Sequence, residues 1–264
     1  MATYLDRILS AHRAQTEADE RDTDALAREA DSCAPTRGFT AAIRNSVGVA
    51  VIAEIKRASP SKGPLAADLD PSATAAGYER GGAAALSVLT DTEFFAGCAE
   101  DLVAARAATS LPVLRKDFTV GPKDVYDARL MGADAVLLIA TALSQPELVD
   151  LTGLTVSLGL DALVEVHDED EAERALVAGA TLVGVNQRDL VTFAVDPARA
   201  ERVAKVIPDT AVRVAESGIR SADDVRRLVD AGFDAILVGE ALVTSTDIEQ
   251  AVQALRCESR DQRG

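Results

Sequence analysis

Four segments, GADAVLLI (132–139), GLDALVEV (159–166), GATLVGVN (179–186) and GFDAILVG (232–239), share one form: a glycine, then a small or acidic residue, then an apolar run. A glycine closing a helix supplies the left-handed C-cap that stops it. An apolar run without polar alternation is a strand buried on both faces, as in parallel sheets. Helix patterns fill the intervals. Asp70-Pro71 is an N-cap followed by an N1 proline, opening a helix that ends near Gly81-Gly82. Further helices are expected at Ala99–Ala108, Pro122–Met131, Gln145–Leu158, Asp170–Val177, Pro197–Val206, Ala222–Val229 and Thr246–Leu255. The strands are expected from Val51, then at Ala84–Leu89, Pro112–Lys116, Asp134–Ala140, Asp161–Val166, Thr181–Asn186, Ala211–Glu216 and Asp234–Val238. Eight strand–helix units thus follow one another at a period of about 25 residues. Strict β-α alternation implies parallel strands joined by right-handed crossovers. Eight units fit a closed (β/α)₈ TIM barrel, and no GxGxxG follows any strand to favour a dinucleotide-binding open sheet. Residues 4–18 and about 23–31 read as two amphipathic helices ahead of the repeat. The expected fold is therefore α/β: one barrel domain over residues 1–264, with 1–47 as a helical N-terminal extension expected to cover part of the mouth or the base.

Polar residues end several strands. Val51–Gly63 runs from an apolar strand into Glu54, Lys56 and Arg57 and a turn-rich SPSKG loop, and period two sets Ile52, Glu54 and Lys56 on one face. Taken singly, this is an ordinary strand end with solvated charges. Its repetition says otherwise: strand three ends in Lys116, five in Glu165, six in Asn186 and seven in Glu216. Counting back in twos pairs these with Leu114, Leu163, Gly184 and Val214, residues suited to a barrel interior, while Arg115 points the other way. Active sites of this fold lie at the C-terminal strand ends. Gathering two ammoniums and three carboxylates there costs several kcal/mol of hydration per ion unless they pair, so the set points to function rather than stability. The loops after strands seven and eight, Ser217-Gly218-Ile219 and Gly239-Glu240-Ala241, are where this fold binds phosphate through backbone amides. Ser59 and Arg188 can add donors. Phe95 and Phe118, just beyond strand ends in a chain only 3% aromatic, suit an aromatic pocket wall.

Net charge of −16 removes any chain-wide attraction to nucleic acid or anionic membrane, so phosphate must be held locally. No stretch approaches the ~18 apolar residues of a membrane span, and the N-terminus lacks an apolar signal core, which leads us to expect a cytoplasmic protein. Cys33, Cys98 and Cys257 are odd in number and far apart, with only His12 and His167 beside them, so neither disulfides nor a metal site is expected. Against 22 arginines the chain keeps five lysines, among them Lys56, Lys62 and Lys116. Lysine retained against that bias suits a role in which a proton must be given up, which guanidinium does poorly.

The motifs EIKRASPSKG, LTDTEFFAG, LRKDF, GADAVLLI, ALVEVHDEDEAERAL, GVNQRDL, VAESGI and LVGEAL, in this order, resemble the indole-3-glycerol-phosphate synthases, and the resemblance covers the chain from Leu5 to Leu255. The resemblance implies conversion of 1-(2-carboxyphenylamino)-1-deoxyribulose 5-phosphate to indole-3-glycerol phosphate, carbon dioxide and water, without metal or cofactor. It implies a general acid at Lys116, a general base at Glu165 and a partner for the substrate carboxylate at Lys56. Glu54, Asn186, Glu216 and Ser217 match the family's remaining polar set, and Ser59, Gly218, Gly239 and Glu240 its phosphate contacts. Gln187 stands where asparagine or serine is expected and Ala241 where serine is frequent, which leaves a hydroxyl contact to phosphate at position 241 in doubt. The partners expected are the small phosphorylated substrate and other tryptophan-pathway enzymes; a monomer is the default. Two alternatives stand beside this reading. One is a sugar-phosphate isomerase like phosphoribosylanthranilate isomerase, whose resemblance would ask for a cysteine and an aspartate where this chain has Glu54 and Lys56. The other is a non-catalytic barrel that binds a phosphorylated ligand.

Overall fold

In the computed structural model, which describes residues 3–60, 62–189 and 191–256, eight parallel strands close into a barrel. They are β1 (Ala50–Ile55), β2 (Ala85–Leu89), β3 (Val113–Lys116), β4 (Ala135–Ile139), β5 (Asp161–Val166), β6 (Leu182–Asn186), β7 (Val212–Glu216) and β8 (Ala235–Val238), each paired with its sequence neighbours and β8 with β1. This is a TIM barrel. Ser61 of the first loop and Cys257 lie outside the described residues.

The helices are α1 (Tyr4–Ala18), α2 (Thr23–Asp31), α3 (Phe39–Arg44), α4 (Pro71–Gly81), α5 (Ala99–Ala108), α6 (Pro122–Leu130), α7 (Gln145–Ser157), α8 (Glu169–Val177), α9 (Pro197–Val203), α10 (Ala222–Asp230), a single turn α11 (Glu240–Val243) and α12 (Ile248–Leu255). Their starts follow capping chemistry. The Asp70 carboxylate accepts from the N–H groups of Ser72 and Ala73 ahead of Pro71, and Ser144 and Ser221 form capping boxes with Glu147 and Asp224. The four repeat glycines all have positive φ, 72° to 90°, as the left-handed C-cap requires.

The acid two residues after three of those glycines has a structural task at the N-terminal face. Fully buried Asp134 accepts from the backbone N–H of Val113 and of Arg37, Asp161 from that of Thr40, and Asp234 from that of Arg213. Asp134 and Asp161 thereby pin α3 beneath the barrel, where Phe39 and Ile43 join the main core. α3 is the element that sequence periodicity misses: it spans only six residues. α1 lies at the opposite face. Its His12 reaches Asp91 beyond β2, and Tyr4 packs edge-on against Phe94 and Phe193. The extension therefore covers both mouth and base, and its Leu5, Ile8, Leu26 and Ala30 are buried.

Candidate active site

Register explains how four charged residues meet. Glu54 pairs with Ser87 and Ser87 with Leu114, and Lys116 lies two residues further along β3. Leu137 pairs with Leu163, and Glu165 lies two residues on. Glu165 pairs with Gly184 and Gly184 with Val214, and Glu216 is two residues beyond Val214. Glu216 pairs with Leu237 and Leu237 with Ile52, so two more residues return the circuit to Glu54. This rise of two residues at every second strand is the stagger of an eight-stranded barrel, whose interior fills in layers of four side chains from alternate strands. Glu54, Lys116, Glu165 and Glu216, from β1, β3, β5 and β7, are therefore one layer. The layer beneath, from the even strands, holds Ser87, Leu137, Gly184 and Leu237; the layer above holds Leu89, Ile139, Asn186 and Gly239.

Two glycines in those flanking layers make the room. A Cβ on Gly184 would sit 2.1 Å from Oε1 of Glu216, and one on Gly239 would sit 2.2 Å from Oε1 of Glu54. Gly239 is thus required by the buried carboxylate as well as by any close backbone approach of a ligand. It also caps α11, whose first-turn N–H groups have no acceptor within the helix.

The charges pair within the layer and just above it. Lys116 Nζ lies 3.0 Å from Oε2 of Glu165 and 3.7 Å from Oε2 of Glu216. Lys56, one residue beyond β1, holds Oε1 of Glu54 at 2.7 Å. Asn186 donates Nδ2–H to Oε1 of Glu165 at 3.0 Å and accepts from the backbone N–H of Arg188. Burial alone would neutralise Lys116, but the charges of Glu165, Glu216 and Glu54 outweigh it and push its ammonium well above the usual lysine range. Burial likewise opposes ionisation of Glu165, yet the Lys116 charge, His167 and the Asn186 hydrogen bond hold its carboxyl below the usual range. For Glu216 burial and the nearby Glu165 and Glu54 win over Lys116, and its carboxyl is raised. One ionised carboxylate and one carboxyl inclined to keep its proton stand within 4 Å of a single ammonium.

Above the layer opens a cavity of about 470 Å³. Its walls include every residue singled out from the sequence: Glu54, Lys56, Lys116, Glu165, Asn186, Glu216 and Ser217 at the floor, and Ser59, Phe95, Phe118, Arg188, Gly218, Gly239 and Glu240 around the rim. Ser217 and Gly218 both have positive φ, 67° and 73°, and Gln187 fixes this turn by donating Nε2–H to the Ser217 carbonyl at 2.7 Å. Serine in the left-handed region stores strain of order 1–3 kcal/mol, which tends to collect at functional sites. Ser59 Oγ is buried against the cavity without a hydrogen-bond partner among the described residues. Phe95 and Phe118 form an aromatic wall, their ring centroids 6.2 Å apart.

Lys62, noted in the sequence only as a retained lysine, stands at the rim; sequence reasoning missed Arg220 beside it, and His12, Asp91 and Asp117 behind the aromatic wall. Lys62 bonds the Glu240 carboxylate, and although burial pushes that carboxyl up, Lys62, Arg220 and Arg188 together hold it below its usual range. This end of the cavity is a cationic cluster. His12 Nε2 lies 2.9 Å from Oδ2 of Asp91 and 3.9 Å from Oδ1 of Asp117, and its ring packs 5.4 Å from that of Phe118. These three side chains come close enough together to be a metal-ligating set. Asp117, however, already accepts from Arg115, Thr90 and the Phe118 N–H, and Asp91 from the N–H groups of Phe94 and Phe95. Arg115 beside them also disfavours a cation, so the cluster fits a structural latch better than a metal. No cysteine lines the cavity among the described residues, and Cys33 and Cys98 are free thiols, which leaves the isomerase alternative without its cysteine acid–base group.

Comparison with known proteins gives one family. The model of the family described as indole-3-glycerol phosphate synthase matches residues 5–255. The chain is 50% identical over 256 residues to the indole-3-glycerol phosphate synthase of Mycolicibacterium smegmatis, covering 96% of this chain and 94% of that one. It is 49% identical over 254 residues to that of Rhodococcus jostii, covering 96% and 94%. Among solved structures, thiamine phosphate pyrophosphorylase from Pyrococcus furiosus superposes with a TM-score of 0.58 at 18% identity, covering 78% of this chain and 93% of that one, a likeness of fold alone.

Proposed function

Because the chain belongs to the indole-3-glycerol phosphate synthase family, we propose that its layer of strand-end charges performs the family's reaction with Lys116 as general acid and Glu165 as general base. The activity is that of a carboxy-lyase of tryptophan biosynthesis, closing 1-(2-carboxyphenylamino)-1-deoxyribulose 5-phosphate to indole-3-glycerol phosphate with loss of carbon dioxide and water. The observation that carries the role assignment is the Lys116 ammonium held between Glu165 and Glu216 on the cavity floor.

The chemistry divides among the walls. The phosphate lies toward Ser59, Lys62, Arg188 and Arg220, with the Gly218, Gly239 and Glu240 amides completing its cradle. The anthranilate ring lies against Phe95 and Phe118, and its carboxylate faces the Lys56 ammonium. Fixing both ends brings the ring carbon onto the ketose carbon as a near-attack pair. As the new C–C bond forms, the carbonyl oxygen takes a proton from Lys116. The carboxylate leaves as CO₂, its bonding pair restoring the aromatic ring. The hydroxyl then departs as water with a second proton, and Glu165 takes a proton from the adjacent carbon to complete the indole. Asn186 orients Glu165, and the proton held by Glu216 limits like-charge repulsion in the layer.

The remaining readings are of the same standing. We read residues 1–264 as one barrel domain with 1–47 as its extension, which is supported by the packing of α1 and α3 onto its two faces. No helix among the described residues is long and apolar enough to cross a membrane, and the net charge of −16 supports a protein that meets no nucleic acid; we read it as a cytoplasmic monomer working beside other enzymes of its pathway. The roles are tested by assaying the anilino-deoxyribulose phosphate through indole absorbance: Lys116→Ala and Glu165→Gln should each lose activity while still binding substrate. Turnover in either variant close to that of the parent removes the assignment.

A further inference from the structure

His167 is half-buried beside the layer and has no task in the mechanism above. The geometry points to His167 as the residue that resupplies protons to Lys116, acting through Glu165 while substrate fills the cavity. The inference rests on the reading of Lys116 as acid and Glu165 as base.

The need comes from proton counting. Ring closure consumes one proton at the carbonyl oxygen, and departure of the hydroxyl as water consumes a second. Only afterwards does the adjacent carbon release one proton, to Glu165. Two protons are spent before one is returned, and the net proton is drawn from bulk water. With substrate occupying the cavity, Lys116 must be recharged between these steps from the protein side.

One chain of groups reaches it. Oε2 of Glu165 touches Lys116 Nζ at 3.0 Å, and Oε1 of the same carboxylate faces His167 Nε2 at 3.6 Å. That Nε2 is buried and has no hydrogen-bond partner among the described residues. Its other ring nitrogen, Nδ1, lies 3.1 Å from Oε2 of Glu171, which also accepts the His167 backbone N–H at 2.8 Å, so the ring orientation is fixed. Thr141 donates its hydroxyl to the second oxygen of Glu171. Side-chain exposure rises along the chain, from 2% for Glu165 to 12% for His167 and 14% for Glu171, which gives the route its outer end. Glu216 can give up the one proton it holds, but at 3% exposure it has no outer end of its own and must be refilled through the same layer.

The charged groups facing the ring are Glu165 from β5, Glu171 from α8 and Arg199 from α9. Burial disfavours the imidazolium and Arg199 opposes it, but Glu171 and Glu165 prevail and raise the His167 pKa, which favours the protonated ring. A proton passes from Nε2 to Glu165 and from Glu165 to the neutral Lys116 amine; Nδ1 is then the side on which solvent, by way of Glu171, restores the imidazolium.

The test follows CO₂ release and indole absorbance in parallel during a single turnover of the full chain. His167→Ala should release CO₂ at close to the parent rate, since the first proton is already on Lys116, while indole formation slows by roughly 10-fold or more. Added imidazole, which fits the space the substitution opens, should restore indole formation in proportion to its concentration. His167→Asn, which keeps a polar side chain but cannot exchange protons near neutrality, should show the same split without needing the cavity, and serves if the alanine variant fails to fold. Unchanged indole formation, an equal slowing of both products, or a slowed indole step that imidazole does not relieve would each overturn the inference. Lys116→Ala separates this from the reading beneath it: that variant must fail at CO₂ release itself, and if it does not, the acid assignment falls whatever His167 does.

Discussion

Replacing Gly184 with alanine would set a Cβ 2.1 Å from Oε1 of Glu216 and 3.2 Å from Cδ1 of Leu163. Non-bonded heavy atoms settle at about 3.5–4.0 Å, so the carboxyl must retreat by more than about 1 Å. Glu216 is 2% exposed and the layer beneath it is packed with Leu137 and Leu237, so the only free direction is upward into the cavity. That motion changes its 3.7 Å separation from Lys116. Overpacking of a close-packed interior costs about 1–3 kcal/mol, and a misplacement of about 1 Å at a reacting group costs about 10²-fold in rate. Thermal unfolding and steady-state kinetics should therefore show a lowered midpoint and a kcat reduced by about two orders of magnitude. The assignment of cause lies in the second variant. With Glu216 already truncated to alanine, adding Gly184→Ala should cost little further stability, because the clashing carboxyl is gone; the pair should show a coupling of at least about 0.5 kcal/mol in a double-mutant cycle. Equal destabilisation in both backgrounds would refute the claim that this glycine exists to admit Glu216.

Deleting residues 1–31 removes α1 and α2 but leaves α3 beneath the barrel, so the truncated chain should remain folded by circular dichroism with impaired turnover, because Phe118 and the Asp91 turn lose His12; an unfolded product would show the extension to be integral to the core. Arg220→Gln at the cationic rim should raise KM severalfold with a smaller effect on kcat, and an unchanged KM would remove it from the phosphate cradle. Gly239→Val is not an equally clean probe of phosphate: its Cβ would meet Glu54, so both kcat and KM should suffer. Glu216 has a raised pKa, so the stability it contributes is complete below the ordinary carboxylate range and is lost as pH rises toward and through the raised value. Unfolding midpoints measured across that window should fall less in Glu216→Gln than in the parent, and parallel curves would contradict the shift. Borohydride added during turnover should leave the protein mass unchanged, since a charged Lys116 forms no Schiff base, and a substrate adduct on Lys116 would establish covalent catalysis instead.

The barrel is legible because its information is local: each glycine C-cap followed by an apolar run marks one junction, and period-two counting from Leu114, Leu163 and Val214 aims Lys116, Glu165 and Glu216 inward. The same counting reaches His167 from Glu165, a signal present in the sequence and not used. What is not legible depends on the circuit around the barrel. That Gly184 makes room for Glu216, and Gly239 for Glu54, follows from stagger between strands far apart in sequence. Lys62 and Arg220 sit on loops, where no periodicity says which way a side chain turns, and His12 meets Asp91 only through the docking of α1. The aspartates of GADA, GLDA and GFDA look like helix-end residues in the sequence; their role in pinning α3 and the neighbouring strands appears only when the two ends of the barrel are distinguished.

The account stands on Lys116 as the proton donor for ring closure. A single-turnover measurement of CO₂ release with Lys116→Ala and Lys116→Arg, each at saturating substrate, tests it most directly. The prediction is a loss of about 10²-fold or more in both variants, arginine keeping the charge but barely yielding a proton. Release within tenfold of the parent rate in either variant would contradict it.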